Sequence, residues 1–496
     1  MAFISLPESQ FTTLLAFFVV AGGLIFALLS RTWDLRHIPG PVGARLTNLW
    51  LLGKYWNGEL FSDIALDLQK RYGPVVRYGP RRVLFSDVSA VGVIFNTKNS
   101  FVKAESYGVI DQIVNGKLVS SFATTRDEAR VSAMKKQLNS AFTTTAMLDY
   151  EPHVDHNIEF LISKLQNLED PEVDIAKWTI FFAFDTICRI AFSDDQGFMD
   201  KQSDLGDTLE GARSRFAYWH WWAPIPKLER LLFKNRFATR TSKTSLLGRI
   251  ASERLQARLG KGGLGTHSDL LDRYLQAGQR DPATFTTSTI IGVVISTIHA
   301  GAETTSATLN VTLYRLLQNP RVLAKLRAEL DAADLSSPPS WNQVSKLPYL
   351  EACFKEAVRI NPIISDPTER EVPRSGAEIA GVWVPGGTVV AINHHALMRD
   401  PSVWGPDADT FRPERWIEAD DAQRQKMQRA DLMFSAGKRS CIGQHVAWIE
   451  MKKLLPELLN KFDIELVDQK KPLTCRIPLV FFPDDLPVRL SPRKIE

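Results

Sequence analysis

The stretch "FSAGKRSCIGQH", Phe434 to His445, places one cysteine between a pair of basic residues and two glycines, just ahead of a helical pattern. The chain has 4 cysteines, at 188, 353, 441 and 475, far apart and without a C-x-x-C pair. That distribution argues against a disulfide framework and for a cytosolic setting. A lone cysteine is most often a small buried hydrophobe, but the neighbours of Cys441 weaken that reading. Gly437 and Gly443 permit backbone shapes closed to other residues and the close approach of a flat ligand. Lys438 and Arg439 bring positive charge. "IGQHVAWIEMKKLLPELLNKF" then reads as a helix starting at or just after the cysteine, with Val446, Ile449, Leu454 and Leu458 on helical spacing. A cysteine at a helix N-terminus near cations is stabilised as thiolate. Such a thiolate is a nucleophile or a metal ligand. His445, four residues on, keeps a Cys-His pair open. A zinc site wants about four N/S ligands, and no second cysteine lies nearby.

Working outward, the chain has 496 residues, 44% apolar and 23% charged, with a net charge of +4. The balance is ordinary for a globular protein and too mild to argue for nucleic acid. The length could hold about three domains at roughly 100–200 residues each, yet no linker separates them. Between Glu8 and Arg31 there is no charge, and "FTTLLAFFVVAGGLIFALL" is nearly all apolar. About 20 such residues span the bilayer hydrocarbon. No Lys or Arg precedes the run, as a signal peptide would require, whereas Arg31 and Arg36 follow it. The expectation is an anchor at residues 1–30 with the rest of the chain on the cytoplasmic side. "HIPGPVGARL" follows, and Pro39-Gly40-Pro41 cannot continue a helix. Residues 31–45 read as a proline-rich hinge and 46–496 as the catalytic body.

Within the body, β-rich runs near Val75 and Val83 suggest a short sheet. Helical periods dominate from about Arg126 to Leu330. "GKGGLGTHSD" (Gly260 to Asp269) has no phosphate-loop spacing and reads as a connector. A long helix is expected from about Thr286 to Gln318, ending at Asn319-Pro320. Gly292 and "HAGAETTSAT" (His299 to Thr308) lie inside it, although Gly and Thr are poor mid-helix residues. A local rule broken in a long apolar helix often marks a functional site. "SGAEIAGVWVPGGTVVAINHHAL" (Ser375 to Leu397) reads as strands around a Pro-Gly-Gly turn, and "FDIELVD…RIPLVFFP" as a return to strands. The class is mainly α with minor β.

One thiolate, glycines for flat-ligand access and an Arg for an anion fit a haem with a cysteine axial ligand. "FSAGKRSCIG" resembles the cysteine-ligand loop of the cytochromes P-450, F-x-x-G-x-R-x-C-x-G, with Phe434, Gly437, Arg439, Cys441 and Gly443 in every fixed position. "AGAETT" (Ala300 to Thr305) is similar to the family's oxygen-activating motif, "EAVR" (Glu356 to Arg359) to its E-x-x-R, and "FRPERW" (Phe411 to Trp416) to its P-E-R segment. "HIPGP" resembles its post-anchor hinge. The matches lie in the family's order over nearly the whole chain. "TTRDEA…LNSAFT" and "DYEPHVD" resemble fungal, pisatin-demethylase-like members.

The resemblance implies a cytochrome P-450 fold with an N-terminal transmembrane helix in the endoplasmic reticulum membrane. The cofactor would be haem b, with Cys441 as its axial iron ligand. Thr304 and Glu303 would deliver protons to dioxygen, and the small Ala300 would leave room for it. Arg439 and Arg370 fall at propionate-pairing positions. The family's W/H-x-x-x-R falls on Val131 and Lys135, so Lys135 keeps a point charge while Val131 cannot donate. Glu356, Arg359 and Arg415 would form a buried ion network for folding and haem retention. His299, where the family usually has an apolar residue, reads as packed. Asp366, in "IISDPTE", reads as a polar substrate contact or as a loop cap. "FAYWHWWAPIP" (Phe216 to Pro226) reads as core packing or as an interfacial rim.

The expected activity is insertion of one atom of O₂ into a lipophilic small molecule, in fungal secondary metabolism. Electrons would come from NADPH through a separate reductase docked on Lys and Arg near the thiolate, since the chain has no flavin fingerprint. The rivals are an isomerase or dehydratase on the same fold, a haem carrier without turnover, and the Cys-His hydrolase.

Overall fold

The computed structural model describes residues 32–97, 101–194, 196–260, 265, 267–475 and 480–494, with Gly23 and Ser30. Apart from Gly23 and Ser30, the expected anchor lies outside them, as does half of the Gly260–Asp269 connector. None of the described helices is long and apolar enough to cross a membrane.

One helix organises the molecule. It runs Thr287–Leu317, 31 residues, or about 46 Å at 1.5 Å per residue. Thr286 caps it by accepting the Thr289 N–H, and the next helix begins at Pro320. Its main partner is the helix Ile175–Phe192, in which nearly every residue is buried. Gly301 lets the two approach closely, for a Cβ there would lie 2.7 Å from Ile187. The helices Thr144–Gln166, Pro348–Ile360 and Gln444–Lys461 complete the main core around this pair. Each fully buried Phe or Leu contributes about 1.5–3 kcal/mol, which explains how this core tolerates the helix's Gly and Thr residues.

The sheets are small and peripheral. Val75–Gly79 pairs antiparallel with Arg82–Phe85, with Val76 opposite Leu84. Val389–Ile392 joins Arg82–Phe85 in parallel, followed by Arg370–Glu371 and Val102–Lys103. The Ser375–Leu397 stretch resolves into a hairpin, Ala377–Ile379 with Val382–Val384, whose turn residues Ala380 and Gly381 both have positive φ, and the strand Val389–Ile392. That turn matches the twist of its strands.

Two expectations are corrected. In "RIPLVFFP" the described residues form no strand: Val480 makes an isolated bridge to Ile364, and Val480 and Phe482 are buried against the core. The strand lies further on, at Pro487–Pro492, between Phe462–Leu466 and Glu172–Asp174. The second correction concerns the hinge. From Thr32 onward it is fastened to the body: Leu35 and Ile38 are buried, and the Pro39 carbonyl accepts the Arg77 N–H at 2.7 Å. A short helix, Val42–Leu46, starts right after Pro41.

Candidate active site

The cysteine loop is held from both sides. Cys441 N–H donates to the Phe434 carbonyl at 2.9 Å. Gly437 has φ +67°, and a Cβ there would fall 1.6 Å from the Phe95 carbonyl oxygen. Only glycine permits both the left-handed backbone and that approach. Lys135, on the helix Glu128–Leu138, donates to the carbonyls of Lys438 and Ser440 at 2.8 and 3.1 Å. Phe434 stacks obliquely on Trp448.

The charge assignment around the sulfur is corrected. The helix starts at Gln444, so Cys441 lies outside its first turn. His445 is therefore not one helical turn away, and no hydrogen bond joins it to the cysteine. Lys438 and Arg439 turn to Glu128, at 3.8 and 2.7 Å. Cys441 is exposed to the cavity, yet desolvation by the protein around it raises its thiol above the ordinary value; the Gly443 N–H and the Lys135 charge pull it down but do not win.

Cys441 borders a cavity of about 330 Å³. That lies within the roughly 300–1,000 Å³ of a ligand pocket. Ala300 and Thr304 face it from the long helix, and Phe434, Gly443 and Arg439 from the loop. Lys103, which no sequence motif singles out, lines its edge. It sits opposite Arg370 across the strand pair, and both side chains meet the Tyr107 ring. Like charges directly opposed on strands repel. Burial, then the charge of Arg370, Arg439 and Lys135, holds the Lys103 ammonium well below its ordinary value. These cations outnumber the acids among them. A flat macrocycle bearing two carboxylates would relieve the repulsion, and with one thiolate donor this set fits a haem.

Arg439 is not a free donor. Its guanidinium reaches the carbonyls of Phe122 and Thr125 besides Glu128. Arg370 is buried, with Nη1 near the Tyr107 hydroxyl at 3.3 Å and the Glu369 carbonyl at 3.0 Å. Val131 is fully buried and serves packing.

Thr304 donates its hydroxyl to the Ala300 carbonyl at 2.7 Å. Thr308 and Thr312 repeat the bond one and two turns on. This is how the helix absorbs its threonines. Glu303 lies behind the cavity wall, 2% exposed, with Oε2 unbonded. Burial raises its carboxyl to about 8, against the Arg213 charge.

Glu356, Arg359 and Arg415 form one buried network. Glu356 accepts from both nitrogens of the Arg359 fork, at 2.9 and 2.8 Å, and from Arg415 Nε at 2.9 Å. Trp416 Nε1 and the Arg412 N–H complete its shell. Asp366 is taken by His220, whose Nδ1 lies 2.9 Å away, so it neither caps its own loop nor stands free for a substrate. The Trp-rich stretch divides: Phe216, Trp219 and His220 are buried, whereas Trp221 is 38% exposed and touches Trp56.

Glu450 also stands outside every sequence motif. It lines the cavity, is buried with both oxygens unbonded, and burial raises its carboxyl well above the ordinary range. An acid on an otherwise apolar helix face was the available signal. For Lys103 the signal was its register against Arg370, invisible before the strands are paired.

The family model of cytochrome P-450 matches residues 39–487. A cytochrome P-450 monooxygenase of Aspergillus terreus is 33% identical over 89% of this chain and 92% of its own length. The cytochrome P-450 monooxygenase cicH of Emericella nidulans is 33% identical over 92% and 94%. Pisatin demethylase of Fusarium vanettenii is 33% identical over 90% and 87%. With the cysteine loop, the long helix and the buried network in one mainly helical fold, the chain belongs to the cytochrome P-450 family.

Proposed function

We propose that Cys441 Sγ would hold the iron of haem b, and that Lys103, Arg370, Arg439 and Lys135 would lend positive charge to the side of the site that takes its carboxylates. The chain is a haem-thiolate monooxygenase: one atom of O₂ enters a small-molecule substrate and the other leaves as water, with electrons from NADPH through a separate reductase. The observation that carries the site assignment is that the Cys441 thiol shares one cavity with Ala300 and Thr304. When bound, haem iron supplies dioxygen binding and reductive activation. The protein supplies position and protons. Ala300 leaves space beside the helix. Thr304 Oγ1, whose proton is given to the Ala300 carbonyl, has lone pairs free to accept. Glu303, an acid still protonated at neutral pH, is the source behind it. The largely apolar wall, including Phe122, Ile187 and Val293, excludes water and suits a lipophilic substrate. The isomerase and carrier readings have no use for this acid–alcohol pair.

The reading further assigns residues 1–30 to a single-pass anchor in the endoplasmic reticulum membrane, 31–45 to a connection and 46–496 to one cytoplasmic haem domain. It is supported by the uncharged N-terminal run, by exposed Trp33 in the connection, and by exposed Trp56, Leu231, Phe233 and Phe237 on the body. Lys438, on the cysteine-loop side, is part of the face assigned to reductase docking. Tailoring of a fungal secondary metabolite is the pathway class we assign, supported by the fungal source of the relatives. The test is turnover with a fungal reductase, NADPH and isotopically labelled dioxygen. Label in a product formed only with all components is expected; product without oxygen label would contradict the reading.

A further inference from the structure

Several hydroxyls that line the cavity have their protons spent on the fold. Thr304 and Thr308 donate to carbonyls one turn back, at 2.7 and 2.8 Å. Thr297 does the same to Val293 at 3.0 Å and takes the Tyr274 proton at 2.8 Å. Thr368 differs. It lies between the helix Pro348–Ile360 and the strand Arg370–Glu371, so no helix carbonyl sits one turn behind it. Its Oγ1 is 3.2 Å from His394 Nε2, and both residues line the cavity beside Ile363 and Ile364. His394 is fixed by its own element. It opens the short helix His394–Leu397, whose cap Asn393 accepts the Ala396 N–H at 3.2 Å and donates to the Ala65 carbonyl at 3.0 Å.

Burial lowers the His394 ring to about 4; the Ile364 backbone acts against that and the Arg370 charge adds to it. At neutral pH the imidazole therefore has one N–H and one lone pair. If Thr368 donates to the ring, its oxygen keeps lone pairs for the cavity. If it accepts the ring proton, it keeps its own proton to give. A ligand hydroxyl can meet either state, whereas a ketone or an ether can meet only the second. Charge at this wall also discriminates. Glu369, the acid next to Thr368, is engaged by Tyr78 and Ser106 at 2.7 and 2.6 Å and by Arg82. Burial raises the carboxyl of Glu450, the acid that lines the cavity, well above the ordinary range. Neither is a partner for a cation, and Arg370 and Lys103 are assigned above to the haem carboxylates.

We propose that the substrate is a neutral lipophile carrying an alcohol or phenol hydroxyl, and that Thr368 Oγ1 takes that hydroxyl in a hydrogen bond beside His394. This deepens the monooxygenase reading and rests on it. Thr368 is a specificity-determining residue with no part in the chemistry. Its contact fixes one end of the substrate against the wall of Ile363 and Ile364, and so selects which carbon is presented for oxidation.

The test uses the full-length, haem-loaded chain and two probes of one shape, 2-naphthol and 2-methylnaphthalene. Their dissociation constants are read by equilibrium dialysis, which needs no turnover. In Thr368→Val, which keeps the shape of the side chain, 2-naphthol is expected to bind about fivefold more weakly, the size of one neutral hydrogen bond, while 2-methylnaphthalene stays within about twofold. Thr368→Ser is expected to restore the wild-type ratio of the two. Should Thr368→Val fail to bind haem, Thr368→Ala carries the same comparison. 2-Naphthoate, the charged analogue, is expected to bind more weakly than 2-naphthol. The same ratio in wild type and in the variants without the hydroxyl overturns the proposal. So does a serine variant that behaves like the valine one, tighter binding of 2-naphthoate, or no binding of 2-naphthol by the wild type. A wild type that oxidises nothing with NADPH and reductase overturns the monooxygenase reading instead, and the affinity ratios still decide on Thr368.

Discussion

Gly437 meets two demands at once, a φ of +67° and a carbonyl against its α-carbon. Gly437→Ala satisfies neither, so the cysteine loop must move. The expected outcome is protein with wild-type helical circular dichroism that purifies with a small fraction of its haem. Full haem content would contradict the geometry. Glu303 gives a pH prediction. Its carboxyl titrates near 4.5 when unfolded and near 8 in the fold. Between these values folding takes up a proton, so stability falls as pH rises through the window, by about 1.4 kcal/mol per pH unit. Glu303→Gln removes the titration. Its unfolding midpoint is expected to exceed that of wild type by more at pH 9 than at pH 6; a pH-independent difference would show that Glu303 titrates normally. At this scale the sequence was informative wherever a motif fixed the residue type. It was silent on partners. Arg439 could be placed beside the cysteine from spacing, but its pairing with Glu128 crosses 311 positions of chain. Asp366 with His220 is the same case.

Elements were legible where a single physical signal governed them. The long helix was bounded within a residue or so of Thr287 and Leu317, because its cap and the following Pro320 are local signals. The C-terminal strand was misplaced, because the apolar run around Val480 to Phe482 is buried by tertiary packing and not by pairing. The network on Glu356 shows why short motifs persist as long-range ties. One carboxylate joins the helix Pro348–Ile360 to the segment carrying Arg412, Arg415 and Trp416. Glu356→Gln leaves two buried guanidinium groups short of their counter-charge. Breaking such a network costs about 3–5 kcal/mol, expected as a lower denaturant midpoint together with faster haem loss. A change below about 1 kcal/mol, the range of an exposed pair, would contradict its buried role.

For the whole molecule, the fold class could be read from the order of helical and strand periods. The packing of the long helix against Ile175–Phe192 could not, since both read only as apolar helices. Attachment to a membrane is expected to have two parts. Removing residues 1–30 is expected to leave the haem spectrum intact and to weaken, without abolishing, sedimentation with vesicles. Adding Trp56→Ser and Phe237→Ser, both strongly exposed, is expected to abolish what remains. Equal sedimentation of all three proteins would contradict that arrangement.

The bond between sulfur and iron decides whether this chain works as a haem-thiolate enzyme, and one spectrum tests it. The purified holoprotein is reduced and exposed to carbon monoxide, beside Cys441→Ser. The wild type is expected to give the red-shifted Soret band of a thiolate-ligated ferrous carbonyl, and the serine variant to lose it. Folded wild type without that band, or a variant that keeps it, would contradict the assignment of Cys441 as the iron ligand.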